Sequence, residues 1–348
     1  MIAKFITKQI KKLILLFIVA FLIFIFFSRI TTAPNHTPIK SEVIKGVWLT
    51  HIGNAFLTYT SLTDNAFYQL SRLNYNRVYV DVYNNGTTYS SKYAPRNYLL
   101  SLPFTNPLKT AIREGKRQGL KVYAWYEHGM MTFGNAELAR QHPDWILATA
   151  NNEKQIDNHW WLDPENPSVQ QYFVNLFTEV AASYPDLDGI QVDDHWGIPI
   201  QFGDKSAAMT ELTQKIVESI RNANPDLIIS LSPNPLGFSR KKYAQDWLVW
   251  IKAGVIDELV MQLYRPTSQE VALAIDNSIL SKVKQDVDIG IGIYAGSLTN
   301  QKPLAEIQKQ LEVVKQHGYG YAIFPWETSL GLVRWKKQKQ KENYLKAI

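Results

Sequence analysis

The sequence contains no cysteine, and this absence removes several kinds of chemistry. Without thiols the chain has no disulfides, no thiolate metal site and no cysteine nucleophile. The absence does not define a compartment, because a domain of this size can do without disulfides in an oxidising space. With 348 residues, of which 46% are apolar and 12% aromatic, the composition is typical of a folded domain with a large core.

Motifs that identify several other enzyme classes are also missing. No histidines have HxH, HxxxH or HExxH spacing, so neither a metal nor another cofactor is expected. No GxSxG sequence is present, which argues against a serine nucleophile on a strand-to-helix turn. No glycine-rich phosphate loop follows the first β-rich run, which counts against a doubly wound nucleotide-binding sheet.

Positive charge is concentrated at the two ends of the chain. Residues 1–45 carry seven Lys/Arg and one Glu, and residues 334–348 carry six Lys/Arg and one Glu. Residues 46–333 carry 24 basic and 29 acidic side chains, so the net charge of +6 does not indicate a nucleic-acid-binding face. We expect no nucleic-acid partner, leave protein partners open, and interpret 334–348 as a basic C-terminal tail or the end of the last helix.

One long hydrophobic run lies near the start of the chain. Residues 13–27 read LILLFIVAFLIFIFF and follow Lys4, Lys8, Lys11 and Lys12. This order predicts an uncleaved signal anchor over residues 1–30, with the following domain on the extracytoplasmic (periplasmic) side of the membrane. Extension to Ile30 brings the run into the range of about 17–25 residues that a span needs. Cleaved secretion is the alternative, although TTAP (31–34) offers no small-residue cleavage site.

After a predicted Pro/Ser/Thr-rich linker over residues 31–44, short β-rich runs alternate with helical stretches through residues 45–333. Eight such runs, each followed by a helical stretch, predict one (β/α)8 TIM barrel. The predicted strands are GVWLT (46–50), RVYVDVY (77–83), KVYAWYE (121–127), DGIQVDD (188–194), LIISLS (227–232), ELVMQLY (258–264), IGIGIY (289–294) and GYAIFPW (320–326).

Ionisable side chains lie at the carboxyl ends of these predicted strands, where barrel enzymes have their active sites. The clearest case is DGIQVDDH (188–195), in which strand alternation directs Asp193 into the barrel and Asp194 and His195 follow. The strand-end acids are Asp81, Glu127, Asp193, Asp194 and Glu327. The aromatic side chains near them in the sequence are Trp48, Trp125, Trp160, Trp161, Trp196, Tyr264 and Trp326.

Paired carboxylates among aromatic rings suit glycoside hydrolysis, in which one acid protonates the leaving oxygen and another attacks or activates water. We predict Asp193 as nucleophile or charge stabiliser and Glu327 or Glu127 as general acid, with Asp194 as a further acid of the site. The predicted substrate-binding residues are Trp48, Asp81, Trp125, His128, His195, Trp196, Gln262, Tyr264 and Trp326. Two other functions stay open: a non-catalytic glycan-binding barrel, and a membrane scaffold whose acids pair with lysines.

Several stretches together resemble a known family. They are KGVWLTH (45–51), AWYEHGMM (124–131), ELARQHPDWI (137–146), WLDPENPSVQQYF (161–173), DGIQVDDHWGIPIQFG (188–203), LSPNPLGFS (231–239) and QDWLVWIKAGVIDELVMQLYR (245–265). In this combination the chain resembles glycosyl-hydrolase-like family 10. The resemblance implies a (β/α)8 barrel and a glycosidase of peptidoglycan glycan strands, with Asp193, Asp194 and Glu327 as site residues. The chitinase-type pattern DGxDxDxE is not matched, since His195 occupies the position of its catalytic Glu.

Overall fold

The computed structural model describes residues 10–23, 32–98, 100–102 and 104–331. The basic tail predicted over 334–348 lies outside the described residues and stays a prediction.

A helix over residues 10–23 covers part of the predicted anchor, and its side chains are exposed. Among the described residues, no helix is both long enough and apolar enough to span a membrane. The rest of the predicted anchor, in 1–9 and 24–30, is outside the described residues, so the anchor also stays a prediction.

Eight parallel strands close into a barrel, which confirms the predicted fold. Their order around the barrel is β1-β10-β9-β8-β7-β6-β3-β2, and β4 and β5 form a separate antiparallel pair. The strands are β1 Lys45–Leu49, β2 Arg77–Asp81, β3 Lys121–Tyr126, β4 Met131–Thr132, β5 Trp160–Trp161, β6 Gly189–Asp193, β7 Ile228–Ser232, β8 Glu258–Gln262, β9 Asp288–Tyr294 and β10 Gly320–Phe324. The carboxyl-terminal ends of the eight barrel strands are called the mouth below.

Helices surround the barrel and cover its outer face, which carries the apolar side chains of the strands. Their starts follow local sequence: Pro167 begins the helix after β5, and the Asn166 side chain accepts a hydrogen bond from Ser168 N. The described helices are His51–Thr60, Thr63–Arg72, Pro107–Gln118, Glu137–Gln141, Pro167–Ser183, Ser206–Ala223, Leu236–Tyr243, Trp247–Lys252, Ser268–Asp276, Leu280–Val283, Leu304–Gln316 and Trp326–Ser329, with 3-10 turns at Pro143–Trp145 and Ile200–Phe202.

The described part of the predicted linker, residues 32–44, lies against the barrel rather than apart from it. The backbone N–H of Ala33 donates to Asp64 Oδ2 at 2.9 Å, and its carbonyl accepts from Arg117 Nη1 at 2.8 Å. Ile44 is buried at the amino-terminal opening of the barrel, where its carbonyl accepts from Tyr321 N. This segment is therefore a strap that closes the opening opposite the mouth.

The barrel interior near that opening holds a buried ion pair. Arg77 Nε lies 2.7 Å from Glu258 Oε2, and both residues begin their strands. Glu258 also accepts hydrogen bonds from the hydroxyls of Tyr79, Tyr123 and Ser230, at 2.8, 3.1 and 2.8 Å. Because all its partners are inside the barrel, this carboxylate belongs to the core and not to the mouth.

Candidate active site

Asp193 is the last residue of β6 and is only 5% exposed. Its Oδ1 accepts hydrogen bonds from Asp194 N at 2.9 Å, Ser232 Oγ at 2.7 Å and Gln262 Nε2 at 2.6 Å. Ser232 and Gln262 end β7 and β8, so three adjacent strand ends fix one carboxyl group. Burial, followed by the negative charge of Asp194, raises the pKa of Asp193 well above its usual range.

Asp194 and His195 continue from the strand into a turn at the mouth. Asp194 Oδ2 accepts from Asn234 Nδ2 at 2.8 Å, and Asp194 Oδ1 lies 3.3 Å from His195 Nδ1. The Gln245 side-chain amide donates to the backbone carbonyls of Asp193 and Trp196, at 3.3 and 3.0 Å. The turn is thus fixed from below by Gln245, while Asp194 stays half-buried and His195 accessible at the mouth.

A second polar group, called the His51 cluster, consists of His51, Asp81, Asn84 and Glu127. Glu127 Oε2 lies 3.2 Å from His51 Nδ1 and 2.9 Å from Asn84 Nδ2, while His51 Nδ1 is 3.8 Å from Asp81 Oδ2. The hydrogen bond with Glu127 raises the pKa of His51, and burial raises that of Asp81 well above its usual range. Burial alone would raise the pKa of Glu127, but the His51 hydrogen bond and neighbouring histidine charges lower it overall.

Electrostatic interactions connect the two sides of the mouth. The charge of Glu127 adds to burial and to Asp194 in raising the pKa of Asp193. Burial, and then the charges of Asp193, Asp194 and Glu127, raise the pKa of Tyr264 well above its usual range. All of these side chains end or follow barrel strands, so they lie at the same end of the closed barrel.

Three half-buried rings, Tyr264, Tyr294 and Phe324, form an aromatic platform beside the acids. Tyr264 stacks on Phe324 with ring centres 5.6 Å apart and planes 17° apart, and Tyr294 lies 5.5 Å from Tyr264. Below them, Trp48 and Trp125 pack edge-on against Phe324 at 6.1 and 6.2 Å. Both tryptophans are buried, so they support the platform and do not present a face at the mouth.

Glu327 is buried beneath the helix that begins at His51. Its Oε1 accepts from Thr50 N at 3.1 Å and Thr50 Oγ1 at 2.9 Å, where the free amides of the helix need acceptors. Burial raises the pKa of Glu327. A Cβ on Gly53 would lie 1.9 Å from Glu327 Oε1, so only glycine lets the carboxyl group reach this position. These contacts favour a structural role for Glu327.

Replacing Glu327 with alanine should lower the free energy of unfolding by about 1–3 kcal/mol, because Thr50 loses its buried acceptor. Glu327→Gln keeps an acceptor oxygen and should retain most of both stability and turnover. Urea unfolding and a turnover assay on the two variants separate the roles. A loss of turnover of about 100-fold or more in a stable Glu327→Gln protein would identify Glu327 as the general acid that the sequence suggested.

Other residues predicted for substrate binding have different surroundings. Trp196 lies in the helix layer, edge-on to Phe173, and donates from Nε1 to Thr213 Oγ1 at 2.9 Å. Trp326 is buried in the short helix after β10. His128 is buried at the end of β3, and burial lowers its pKa to about 4. The structure therefore places Trp196 among the helices and not at the mouth.

Sequence reasoning missed several residues of the site, namely His51, Asn84, Ser232, Asn234, Tyr294 and Phe324. All follow or end a barrel strand, so strand-end position was the available signal. Two sets of side chains have metal-ligand atoms within 4.8 Å of one another: His51 with Asp81 and Glu127, and Asp193 with Asp194 and His195. Within the described part of the chain, the ion pairs recorded for the mouth acids involve histidines and no lysine or arginine. That pattern counts against the scaffold hypothesis.

Comparisons with known proteins agree with the barrel fold and point to glycoside hydrolases. Glycosyl hydrolase DigH of Escherichia coli K12 is 24% identical in an alignment 369 residues long, gaps included, that covers 80% of this chain and 82% of DigH. The PgaB (BpsB) glycoside hydrolase domain from Bordetella bronchiseptica superimposes with a TM-score of 0.67 at 12% identity, covering 87% of this chain and 99% of that domain. The α-galactosidase TtGalA from Thermus thermophilus has a TM-score of 0.57 at 14% identity, covering 93% and 69%. At these identities, the two solved structures show the shared fold alone.

The family assignment rests on a longer match. Residues 43–209 and 204–312 match the model of the family described as glycosyl hydrolase-like 10. These segments cover well over half of the chain and contain β1 to β9, with both the Asp193 turn and the His51 cluster. The chain therefore belongs to the glycosyl hydrolase-like 10 family.

Proposed function

We propose that this protein is a glycoside hydrolase that cleaves O-glycosidic bonds of a cell-wall or extracellular glycan, with peptidoglycan glycan strands as its substrate. The observation that carries the proposal is Asp193, a buried carboxyl group at a barrel mouth whose raised pKa favours the protonated form. The family and its named relatives support a hydrolase that acts on glycans. The peptidoglycan substrate comes from the resemblance of the sequence and is the finer part of the proposal.

In this proposal Asp193 is the general acid, and not the nucleophile or charge stabiliser that the sequence suggested. Three donors occupy its Oδ1, so the proton is held on Oδ2 and passes to the leaving oxygen of the glycosidic bond. Asp194, held by Asn234, is the second carboxyl group, which stabilises positive charge on the sugar ring or activates water. Glu127 is given no proton-transfer step in this proposal, because its Oε2 lies 2.9 Å from Asn84 Nδ2 and 3.2 Å from His51 Nδ1 and so belongs to the His51 cluster.

The test uses the full-length protein in detergent with purified peptidoglycan glycans, with and without stem peptides, and mass spectrometry of the products. Release of shorter glycans by the wild type, and their loss in Asp193→Asn, is the expected result. Binding without any product would favour the non-catalytic glycan-binding barrel. Cleavage of other glycans but not peptidoglycan would keep the glycosidase and reject the substrate.

The aromatic platform is proposed to bind the apolar face of a sugar ring. Tyr264→Ala should weaken glycan binding about 10-fold, since a ring of this kind contributes roughly 0.5–1.5 kcal/mol beyond its buried area. Binding is measured by calorimetry on the Asp193→Asn background, so that substrate is not consumed. Tyr93→Ala is the matched control, because Tyr93 is 45% exposed and follows Lys92, whose backbone N–H donates to Glu179 on the outer helix Pro167–Ser183. Equal affinities of the two variants would contradict a role of the platform.

We further propose that the protein is anchored in a membrane with the barrel on the extracytoplasmic side. The helix over residues 10–23 supports this, because its apolar side chains are exposed to solvent and Lys11 and Lys12 lie at its start. Alkaline extraction of membranes should leave the full chain in the pellet and release a form lacking residues 1–31. Release of the full chain by the same extraction would contradict the anchor.

A further inference from the structure

The proposed chemistry leaves the His51 cluster without a task. Its four side chains come from three strand ends: His51 follows β1, Asp81 ends β2 with Asn84 just beyond it, and Glu127 follows β3. Asp81 is completely buried, and its Oδ2 has no hydrogen-bond partner among the described residues. That oxygen lies 3.8 Å from His51 Nδ1, on the side where the other polar atoms converge. A buried carboxylate oxygen without a partner is costly, so something is expected to neutralise it.

The N–H groups of His51 and Asn84 do not satisfy all the acceptor atoms of the cluster. His51 Nδ1 lies 3.2 Å from Glu127 Oε2 and 3.0 Å from the Asn84 side-chain nitrogen. One ring nitrogen cannot donate to Glu127 and accept from Asn84 at the same time. If His51 Nδ1 carries a proton and donates to Glu127, its N–H group and that of the Asn84 amide point at each other. If His51 Nδ1 instead accepts from Asn84, it donates a hydrogen bond to neither carboxylate. In both cases Asp81 Oδ2 receives no N–H group, so either a proton shared with Glu127 or a bound cation must neutralise it.

A bound cation resolves both difficulties. We propose that His51 Nδ1, Asp81 Oδ2 and Glu127 Oε2 bind a divalent transition-metal ion, with the side-chain oxygen of Asn84 as fourth ligand. Rotation of the Asn84 amide exchanges its nitrogen and oxygen, which are nearly indistinguishable by position, and directs the oxygen towards the other three atoms. No step of the proposed hydrolysis is needed for this inference.

The ligand set determines which ions fit. One imidazole nitrogen with carboxylate and amide oxygens suits Zn²⁺ or Mn²⁺, whereas Mg²⁺ and Ca²⁺ prefer oxygen ligands alone. Metal–ligand bonds of about 2.0–2.2 Å place neighbouring ligands of a tetrahedral site roughly 3.3–3.6 Å apart. The separations of 3.2 and 3.8 Å from His51 Nδ1 require shifts of only a few tenths of an ångström. No sequence motif indicates this site, because its ligands come from three strand ends instead of one histidine motif.

The position of the cluster indicates what the ion would do. The cluster lies at the carboxyl ends of β1, β2 and β3, the same end of the closed barrel at which Asp193 ends β6 and Tyr264 follows β8. An ion that expands its coordination beyond these four ligands would bind an oxygen of the substrate, either a hydroxyl or a carboxylate, and orient the sugar.

The test is metal binding by the full-length protein in detergent, after treatment with EDTA, followed by calorimetry and elemental analysis. We expect one equivalent of Zn²⁺ or Mn²⁺ per chain, and little binding of Mg²⁺ or Ca²⁺. Asp81→Asn and His51→Gln should each weaken metal binding about 100-fold, because each removes a direct ligand. Loss of a group that only orients a ligand already costs about 10- to 100-fold. Asp226→Asn, an exposed carboxylate before β7, and Asp194→Asn, in the other acidic group, should bind as the wild type does.

Asn84→Asp separates a metal site from a cluster that merely shares a proton. With a metal, the added carboxylate tightens binding, and Zn²⁺ raises the melting temperature more than in the wild type. Without a metal, the added charge lowers the melting temperature and Zn²⁺ does not restore it. Three results would each overturn the proposal. The first is this lower melting temperature that Zn²⁺ does not restore, and the second is a folded wild type that binds no stoichiometric metal. The third is loss of binding in Asp194→Asn but not in Asp81→Asn.

Discussion

Replacing Asp193 with asparagine is expected to reduce turnover of the glycan by about 100- to 10,000-fold, the usual contribution of a general acid. Asparagine has nearly the same shape, so its oxygen can still accept from Ser232 and Gln262, and the variant should fold and bind substrate. Only the proton for the leaving oxygen is lost. Initial rates of product release, measured by mass spectrometry at saturating glycan, report this change directly.

The same variant distinguishes a general acid from a nucleophile. An aryl glycoside of the sugar found in the products has a leaving group that needs little protonation. Loss of an acid should therefore slow its cleavage far less than cleavage of the natural glycan, whereas loss of a nucleophile should slow both equally. Asp226→Asn, at the opposite end of the barrel, is the matched control and should be unaffected. Full turnover of the glycan by Asp193→Asn would place the acid elsewhere.

Stability against pH gives an independent view of Asp193. Its pKa in the folded chain is raised by burial and by Asp194, with Glu127 adding to the effect. A carboxyl group with a raised folded pKa contributes stability that is fully present below its unfolded value of about 3.9 and is lost as pH rises through the folded value. Asp193→Asn lacks this loss, so it should be more stable than the wild type at alkaline pH, by a margin that shrinks on acidification. A margin independent of pH would show that Asp193 is not the group that titrates.

The strands could be predicted from sequence because β-rich runs of four to seven residues bounded by polar segments are a local signal. All eight predicted strands overlap the barrel strands of the structure. Side-chain direction was predictable only within a strand. Alternation from Tyr79 predicts that Tyr83 faces the interior, but β2 ends at Asp81, and the Tyr83 hydroxyl instead contacts that of Tyr172 on a surrounding helix.

The site was less predictable, because alternation gives direction but not depth. Trp48 and Trp125 do point inward, yet closure of the barrel places Phe324 above them, so they lie in the core. The partners of Asp193 were also hidden, since Ser232 and Gln262 are 39 and 69 residues away along the chain. Such contacts follow from the order and register of the strands, which a local pattern does not contain.

Replacing Arg77 with methionine is expected to lower the free energy of unfolding by about 3–5 kcal/mol. The change leaves Glu258, only 1% exposed, charged inside the barrel without its cation. The hydroxyls of Tyr79, Tyr123 and Ser230 still donate to it, but neutral donors do not offset the charge of a buried carboxylate. Urea unfolding followed by tryptophan fluorescence measures the loss.

The double variant Arg77→Met/Glu258→Gln shows whether the uncompensated charge is the cause. Glutamine keeps an acceptor for the three hydroxyls and removes the charge, so the double variant should recover much of the stability that Arg77→Met loses. Arg113→Met, an exposed arginine on the outer helix Pro107–Gln118, should change stability little. Additive losses in the double variant would mean that Arg77 acts through packing. Recovery would instead show that the core of this barrel retains a charge pair at the end opposite the mouth. The protonation of the acids at the mouth would then depend on one another and on the substrate, and not on this pair.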